Sequence, residues 1–220
     1  MLSERAILIG PVLDESFANF KKRVKAFEPD EDDLLIAVDG GLDLWKKLGI
    51  RPDLAVGDWD SLQDKKLLKK VDSLTLPVQK DWSDLYFALN AAAQAGSSEI
   101  ICLGLTGGRA DHQLASLMEI GQFAAFPGRK PGPVMAFGPE AGYFWVGPGA
   151  PVELALAKGS LVSIFAIAGI ARDVELSGFE YEGEFDVFAP SSMGLSNQVI
   201  RPKQTISVAE GAILVMVPRI

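Results

Sequence analysis

Leu34-Leu-Ile-Ala-Val-Asp-Gly-Gly41 is a run of five apolar residues stopped by an aspartate and two glycines. A strand with one wet face would alternate; an unbroken apolar run predicts a strand covered on both faces, as in a parallel sheet flanked by helices. Leu42, Trp45 and Leu48 follow at helical spacing, and Gly49 is placed to end that helix. The same alternation extends in both directions. Ala6 to Ile9, Leu54 to Val56, Leu74 to Val78 and Glu99 to Leu103 read as further buried strands. A helix containing Phe17, Phe20, Val24 and Phe27, with Asp14 placed to cap it, precedes the quoted stretch; helices over Ser83 to Ala95 and Asp111 to Ala125 follow it. This order predicts a doubly wound parallel sheet, Rossmann-like, with helices on both faces.

The pattern breaks at Pro127-Gly-Arg-Lys-Pro-Gly-Pro133 and again, after one more apolar stretch, at Gly147-Pro-Gly-Ala-Pro151. Beyond it the helical period disappears. Val152 to Leu156, Leu161 to Ile167, Asp173 to Leu176, Glu184 to Phe188, Gln198 to Ile200, Thr205 to Val208 and Ile213 to Val217 read as short strands separated by Gly, Ser or Pro. They predict a small all-β sandwich or barrel. The expected division is a nucleotide-binding α/β domain over residues 1–141 and a β-rich domain over 142–220.

With 48% hydrophobic and 23% charged residues, the 220-residue chain carries enough apolar surface for a core, which excludes a disordered protein. Its 21 Lys and Arg against 29 Asp and Glu leave a formal charge of -8, the wrong sign for holding nucleic acid through its phosphates. A single cysteine, Cys102, excludes an internal disulfide, and with one histidine there is no Cys/His zinc site. The apolar run Ala6 to Ile9 is too short for a signal core or a membrane span, so a cytoplasmic protein without a membrane partner is expected.

In open parallel sheets, ligands bind beyond the carboxyl ends of the strands. The loops there are Asp39-Gly-Gly41, Gly57-Asp-Trp-Asp-Ser61, Gln79-Lys-Asp-Trp-Ser-Asp84 and Gly104 to His112, and each carries aspartate. Taken singly, each reads as a turn or a solvated acid, and Ser83 as a helix cap. Four on one edge would repel each other, and magnesium is the economical counter-ion, since it bridges carboxylates to substrate phosphates. Gly40-Gly41 and Gly107-Gly108 allow close backbone approach and positive φ, and Arg109 offers a fork for phosphate oxygens. No P-loop or dinucleotide fingerprint is present. His112 reads as a structural group at a helix start and Cys102 as a small core residue.

Taken in order, Asp39-Gly-Gly, Pro52 to Ser61, Asp81-Trp-Ser-Asp84 and Gly107-Gly-Arg-Ala-Asp-His112 resemble the motif series of thiamine pyrophosphokinases (thiamine diphosphokinases). Val162 to Phe165, Gly178 to Glu182 and Gly194 to Asn197 resemble that family's β-rich thiamine-binding domain. The resemblance implies transfer of pyrophosphate from ATP to the hydroxyl of thiamine, with Mg2+, giving thiamine diphosphate and AMP. It implies Asp58, Asp60 and Asp84 as metal ligands, and adds Arg109 and Asp111 to the catalytic set. It implies Asp39, Gly40, Gly41, Lys80, Asp81, Ser83, Gly107, Gly108 and Arg109 on the nucleotide side, and Tyr181, Ser196 and Asn197 on the thiamine side. It also implies a homodimer with the active site shared between subunits.

The chain departs from the family pattern at Ser83 (usually Thr), Tyr86 (commonly charged), Ser116 (commonly Asn), Lys80 (Gln in some members) and Tyr181 (Trp in some relatives). Two other readings stand beside this one: another magnesium-dependent nucleotide phosphotransferase or hydrolase on the same scaffold, and a non-catalytic protein that binds thiamine or nucleotide.

Overall fold

The computed structural model describes residues 3–126 and 128–219. Pro127, the first residue of the Pro/Gly break, lies outside them, as do Met1, Leu2 and Ile220. The chain forms two compact units, one of residues 1–119 and 136–139, the other of 120–135 and 140–220. It is a mixed α/β protein with a parallel arrangement of strands in the first unit and antiparallel strands in the second.

In the first unit, β1 (Arg5–Ile9), β2 (Leu34–Val38), β3 (Leu54–Gly57), β4 (Asp72–Thr75) and β5 (Glu99–Leu103) lie in the order β5-β1-β2-β3-β4, all parallel. β2 is buried along its whole length, as its unbroken apolar run requires. The chain leaves β1 toward β2 on one side and returns to pair β5 on the other, so the β1 and β5 carboxyl ends flank a switch in strand order.

The helices of this unit are α1 (Phe17–Lys25), α2 (Gly41–Leu48), α3 (Asp84–Gln94) and the start of α4 (Ala110–Ala124), within which the division between the units falls. Helix α2 ends as expected at Gly49, φ 77°, and its Trp45 is fully buried with Nε1 donating to the Ile36 carbonyl at 3.0 Å.

Two local expectations are corrected. Helix α1 is capped by Ser16, whose Oγ accepts from Asn19 N at 3.2 Å, because Ser16 stands three residues before a free amide; Asp14 instead accepts from Gly108 N. The strand expected over Leu74 to Val78 with both faces covered is Asp72–Thr75, an edge strand exposed throughout. Pro77 cannot donate to a ladder, and Leu76 alone of that stretch is buried.

In the second unit, β7 (Ala141–Val146), β14 (Ile213–Pro218), β9 (Leu161–Ala166) and β12 (Asn197–Gln198) pair antiparallel in that order. A separate antiparallel sheet runs β8 (Val152–Leu154), β13 (Gln204–Ser207), β10 (Ile170–Ser177) and β11 (Gly183–Phe188). Val162, Ile164, Ile213 and Val215 from the first set and Val174, Leu176, Val187 and Ile206 from the second belong to one buried cluster. Strand β6 (Val134–Phe137) and β7 occupy the apolar stretch left unassigned between the two Pro/Gly breaks.

Candidate active site

The site grows from the carboxyl ends of β2 and β3. Asp39 follows β2 directly, and the positive φ expected of its two glycines falls on the aspartate itself, at φ 47°, whereas Gly40 has φ -59°. The glycines are needed for space. A Cβ on Gly41 would lie 1.9 Å from the Ile9 carbonyl oxygen, so the α2 start can sit against β1 only without a side chain.

After β3, Trp59 takes φ 66° between Asp58 and Asp60. Its side chain is buried and Nε1 donates to Thr75 Oγ1 at 3.0 Å, which anchors the loop to β4. Residues held at positive φ on both loops store strain of the kind that concentrates at functional sites.

The two loops bring Asp39, Asp58 and Asp60 together, with one carboxylate oxygen of each lying within 4.8 Å of the others. Ser61 Oγ donates to Asp39 Oδ2 and accepts from Gly40 N at 3.2 Å. Asp39 Oδ1 is buried with no hydrogen-bond partner. An orphaned buried carboxylate oxygen inside an all-oxygen donor set fits a hard divalent cation, and these residues could hold magnesium.

Asp84, at the start of α3, stands outside that trio and is joined to it through Lys80. The Lys80 ammonium is 2.6 Å from Asp58 Oδ2 and 3.1 Å from Asp84 Oδ1. The hydrogen bond from Lys80 holds the Asp58 carboxyl below its ordinary range, against the effect of burial. Burial pushes Asp84 up, and Lys80 offsets this only in part. For Lys80, burial works to lower the pKa, but the pairing with Asp58 and Asp84 outweighs it and the net shift is upward.

The remaining nucleotide-side candidates are engaged by other side chains. Gly107 and Gly108 have φ 99° and 68°, as expected, yet Gly107 N donates to Gln113 Oε1 at 2.9 Å and Gly108 N to Asp14. Arg109 is exposed and pairs with Asp111 at 2.7 Å. Ser83 caps α3 by accepting from Tyr86 N at 3.4 Å, and donates to Glu119. Asp81 is exposed. Cys102 is a buried strand residue whose thiol is pushed up to about 12 by burial.

In the second unit, Tyr181 is 72% exposed. Asn197 is buried and spends both ends of its amide on Tyr181, Oδ1 accepting from the Tyr181 amide at 3.0 Å and Nδ2 donating to its carbonyl at 2.7 Å. Ser196 has φ 58° and its amide donates to Ser163 Oγ at 3.0 Å.

Sequence reasoning missed Asp14, Glu119 and the role of Ser61. Asp14 lies in the loop after β1, beside the switch in strand order, a position that marks it as readily as the other loop carboxylates.

An α/β unit with acidic loops at the carboxyl edge of its parallel strands, followed by an antiparallel β unit, defines the class of protein. Residues 28–127 match the family model described as thiamin pyrophosphokinase, catalytic domain. The thiamine pyrophosphokinase of Bacillus subtilis (strain 168) is 29% identical over 196 residues, covering 86% of this chain and 88% of that protein. The crystal structure of the thiamine pyrophosphokinase from Bacillus subtilis superposes with TM-score 0.78 at 21% identity, covering 98% and 99% of the two chains. That of the thiamin pyrophosphokinase from Geobacillus thermodenitrificans gives 0.76 at 22%, covering 98% of each. These structures show the shared fold. The resemblance to the thiamine pyrophosphokinase family is thereby borne out, by the match of residues 28–127 to the catalytic-domain model and by the relative from Bacillus subtilis.

Proposed function

We propose that the chain is a thiamine diphosphokinase, transferring pyrophosphate from ATP to the hydroxyl of thiamine with Mg2+ and yielding thiamine diphosphate and AMP. The observation that carries this reading is the convergence of Asp39, Asp58 and Asp60 inside the segment that matches the thiamin pyrophosphokinase catalytic domain.

The thiamine hydroxyl oxygen attacks the β-phosphorus. The bond from that phosphorus to the oxygen shared with the α-phosphate breaks, AMP leaves with the electron pair, and the hydroxyl proton passes to solvent. Bound magnesium supplies charge neutralisation for the phosphate oxygens. Asp58 and Asp60 would hold it with Asp39, and Asp84 completes the acidic wall beyond Lys80. Lys80 and Arg109 take up charge developing on the transferred group, and positioning supplies most of the remaining catalysis. Gly40, Gly41, Asp81 and Ser83 line the nucleotide side with Gly107 and Gly108. A phosphate that takes the Gly107 and Gly108 amides must displace Gln113 and Asp14 from them.

On the thiamine side, the exposed Tyr181 ring offers a face to the cationic thiazolium, an interaction worth about 0.5–2 kcal/mol. Asn197 holds the Tyr181 backbone in place, and Ser196 adds a hydroxyl. The same reading includes a homodimer with a site shared between subunits. A cytoplasmic location accords with this substrate pair, and among the described residues no helix is long and apolar enough to cross a membrane.

The test is to incubate purified protein with ATP, Mg2+ and thiamine. Equal amounts of AMP and thiamine diphosphate are expected; ADP with thiamine monophosphate, or no thiamine-dependent turnover, overturns the reading.

A further inference from the structure

The four carboxylates at the sheet edge fall into two groups that share Asp58. Asp39, Asp58 and Asp60 face one another, and among the described residues no cationic side chain pairs with Asp39 or Asp60. Between Asp58 and Asp84, by contrast, a cation is already built in. Lys80 Nζ lies 2.6 Å from Asp58 Oδ2, 3.1 Å from Asp84 Oδ1 and 3.2 Å from the Pro77 carbonyl oxygen. The ammonium hydrogen-bonds to Asp58 Oδ2 and the Pro77 carbonyl and lies within ion-pair distance of Asp84 Oδ1, which itself makes no hydrogen bond. The three side chains of this bridge are only 8–17% exposed, so the charges are shielded from water and hold one another strongly.

We infer that the Lys80 ammonium takes the place of a second divalent cation between Asp58 and Asp84, so that the nucleotide-free chain binds one divalent ion, on Asp39, Asp58 and Asp60. The inference rests on the reading of these acids as metal-holding residues. Charge supports it: four carboxylates against one ammonium leave -3, and one divalent ion brings the cluster to -1. A second ion would have to expel an ammonium that is hydrogen-bonded to Asp58 and the Pro77 carbonyl and ion-paired with Asp84.

The experiment counts Mn2+ bound by the intact protein in the absence of nucleotide and thiamine, from the loss of the free Mn2+ signal in electron paramagnetic resonance. The wild-type chain is expected to bind one ion, Lys80→Arg one, and Lys80→Gln two. The second ion should be lost again in Lys80→Gln/Asp84→Asn. Thermal melting in EDTA checks that the variants fold, and Lys80→Gln should regain stability with Mn2+.

Two ions on the wild-type chain overturn the inference without reference to any variant, as does a Lys80→Gln protein, folded or refolded with Mn2+, that binds one ion with unchanged affinity. Because no turnover is measured, failure here is separable from failure of the proposed activity: a chain that binds one ion yet makes no thiamine diphosphate sinks the activity and spares the inference.

Discussion

Replacing Ser61 with alanine removes the hydroxyl that donates to Asp39 Oδ2 and receives Gly40 N. Asp39 is 7% exposed and its Oδ1 already lacks a partner, so the variant leaves a buried carboxylate with neither oxygen bonded. A hydrogen bond to a charged group is worth about 1.5–3 kcal/mol, and an unsatisfied buried charge costs at least that much. In a chain of this size each kcal/mol moves the melting temperature by about 2–4 °C, so a fall of roughly 3–12 °C is expected. The assay is urea denaturation in EDTA followed by tryptophan fluorescence, which reports mainly the first unit because Trp45, Trp59 and Trp82 lie there and only Trp145 in the second. A double-mutant cycle with Asp39→Ala isolates the pair, and a coupling of about 1 kcal/mol or more is expected. A loss below about 0.5 kcal/mol, within the range of ordinary surface substitutions, would refute the claim that Ser61 holds Asp39 at the site.

Asp58→Asn and Asp60→Asn should each lose most turnover while melting cooperatively; near-normal turnover in both would remove the metal assignment. Tyr181→Ala should raise the apparent thiamine constant by several-fold to tens-fold and leave ATP binding nearly unchanged, whereas Tyr181→Trp keeps an aromatic face and should be tolerated; steady-state kinetics with each substrate varied decides this, and the opposite pattern contradicts the division of substrates. Mixing inactive Asp84→Asn chains with inactive Asn197→Ala chains should restore activity in heterodimers if subunits share the site, and a monomer by sedimentation or silent verified heterodimers would count against sharing. In EDTA, acid should act oppositely through two neighbours. Asp58 is depressed in the folded state, so its stabilisation is present above the ordinary aspartate range and lost as pH falls through its folded value, and Asp58→Asn should flatten the acid limb of stability. Asp84 is raised, so protonation on falling pH relieves its burial, and Asp84→Asn should steepen the limb; shifts of the same sign in both variants would contradict the assigned causes.

Elements whose signals are local were legible along the chain. The unbroken run at Leu34 to Val38 could only be satisfied with cover on both faces, and the spacing of Leu42 and Trp45 before Gly49 fixed a helix end through a residue that adopts positive φ without strain. The short strands of the second half were legible in the same way, because Gly, Ser and Pro punctuate them. The motif series carried the family resemblance, and the parallel order placed the loops of Asp39, Asp58 and Asp60 at one edge, whereas Asp111 pairs with Arg109 outside that trio. The pairing of side chains came from the three-dimensional arrangement. Lys80 bridges Asp58, twenty-two positions away, to Asp84, and Asp14 reaches Gly108 across ninety-four. Ser61 meets Asp39 only because β2 and β3 pair in the observed register, and β4 is exposed only because no strand follows it at that edge. Periodicity and turn chemistry act over a few residues along the chain. Which carboxylate receives which donor depends on distances set by strand order and register, and a long-range hydrogen bond leaves no trace in the spacing of its two ends.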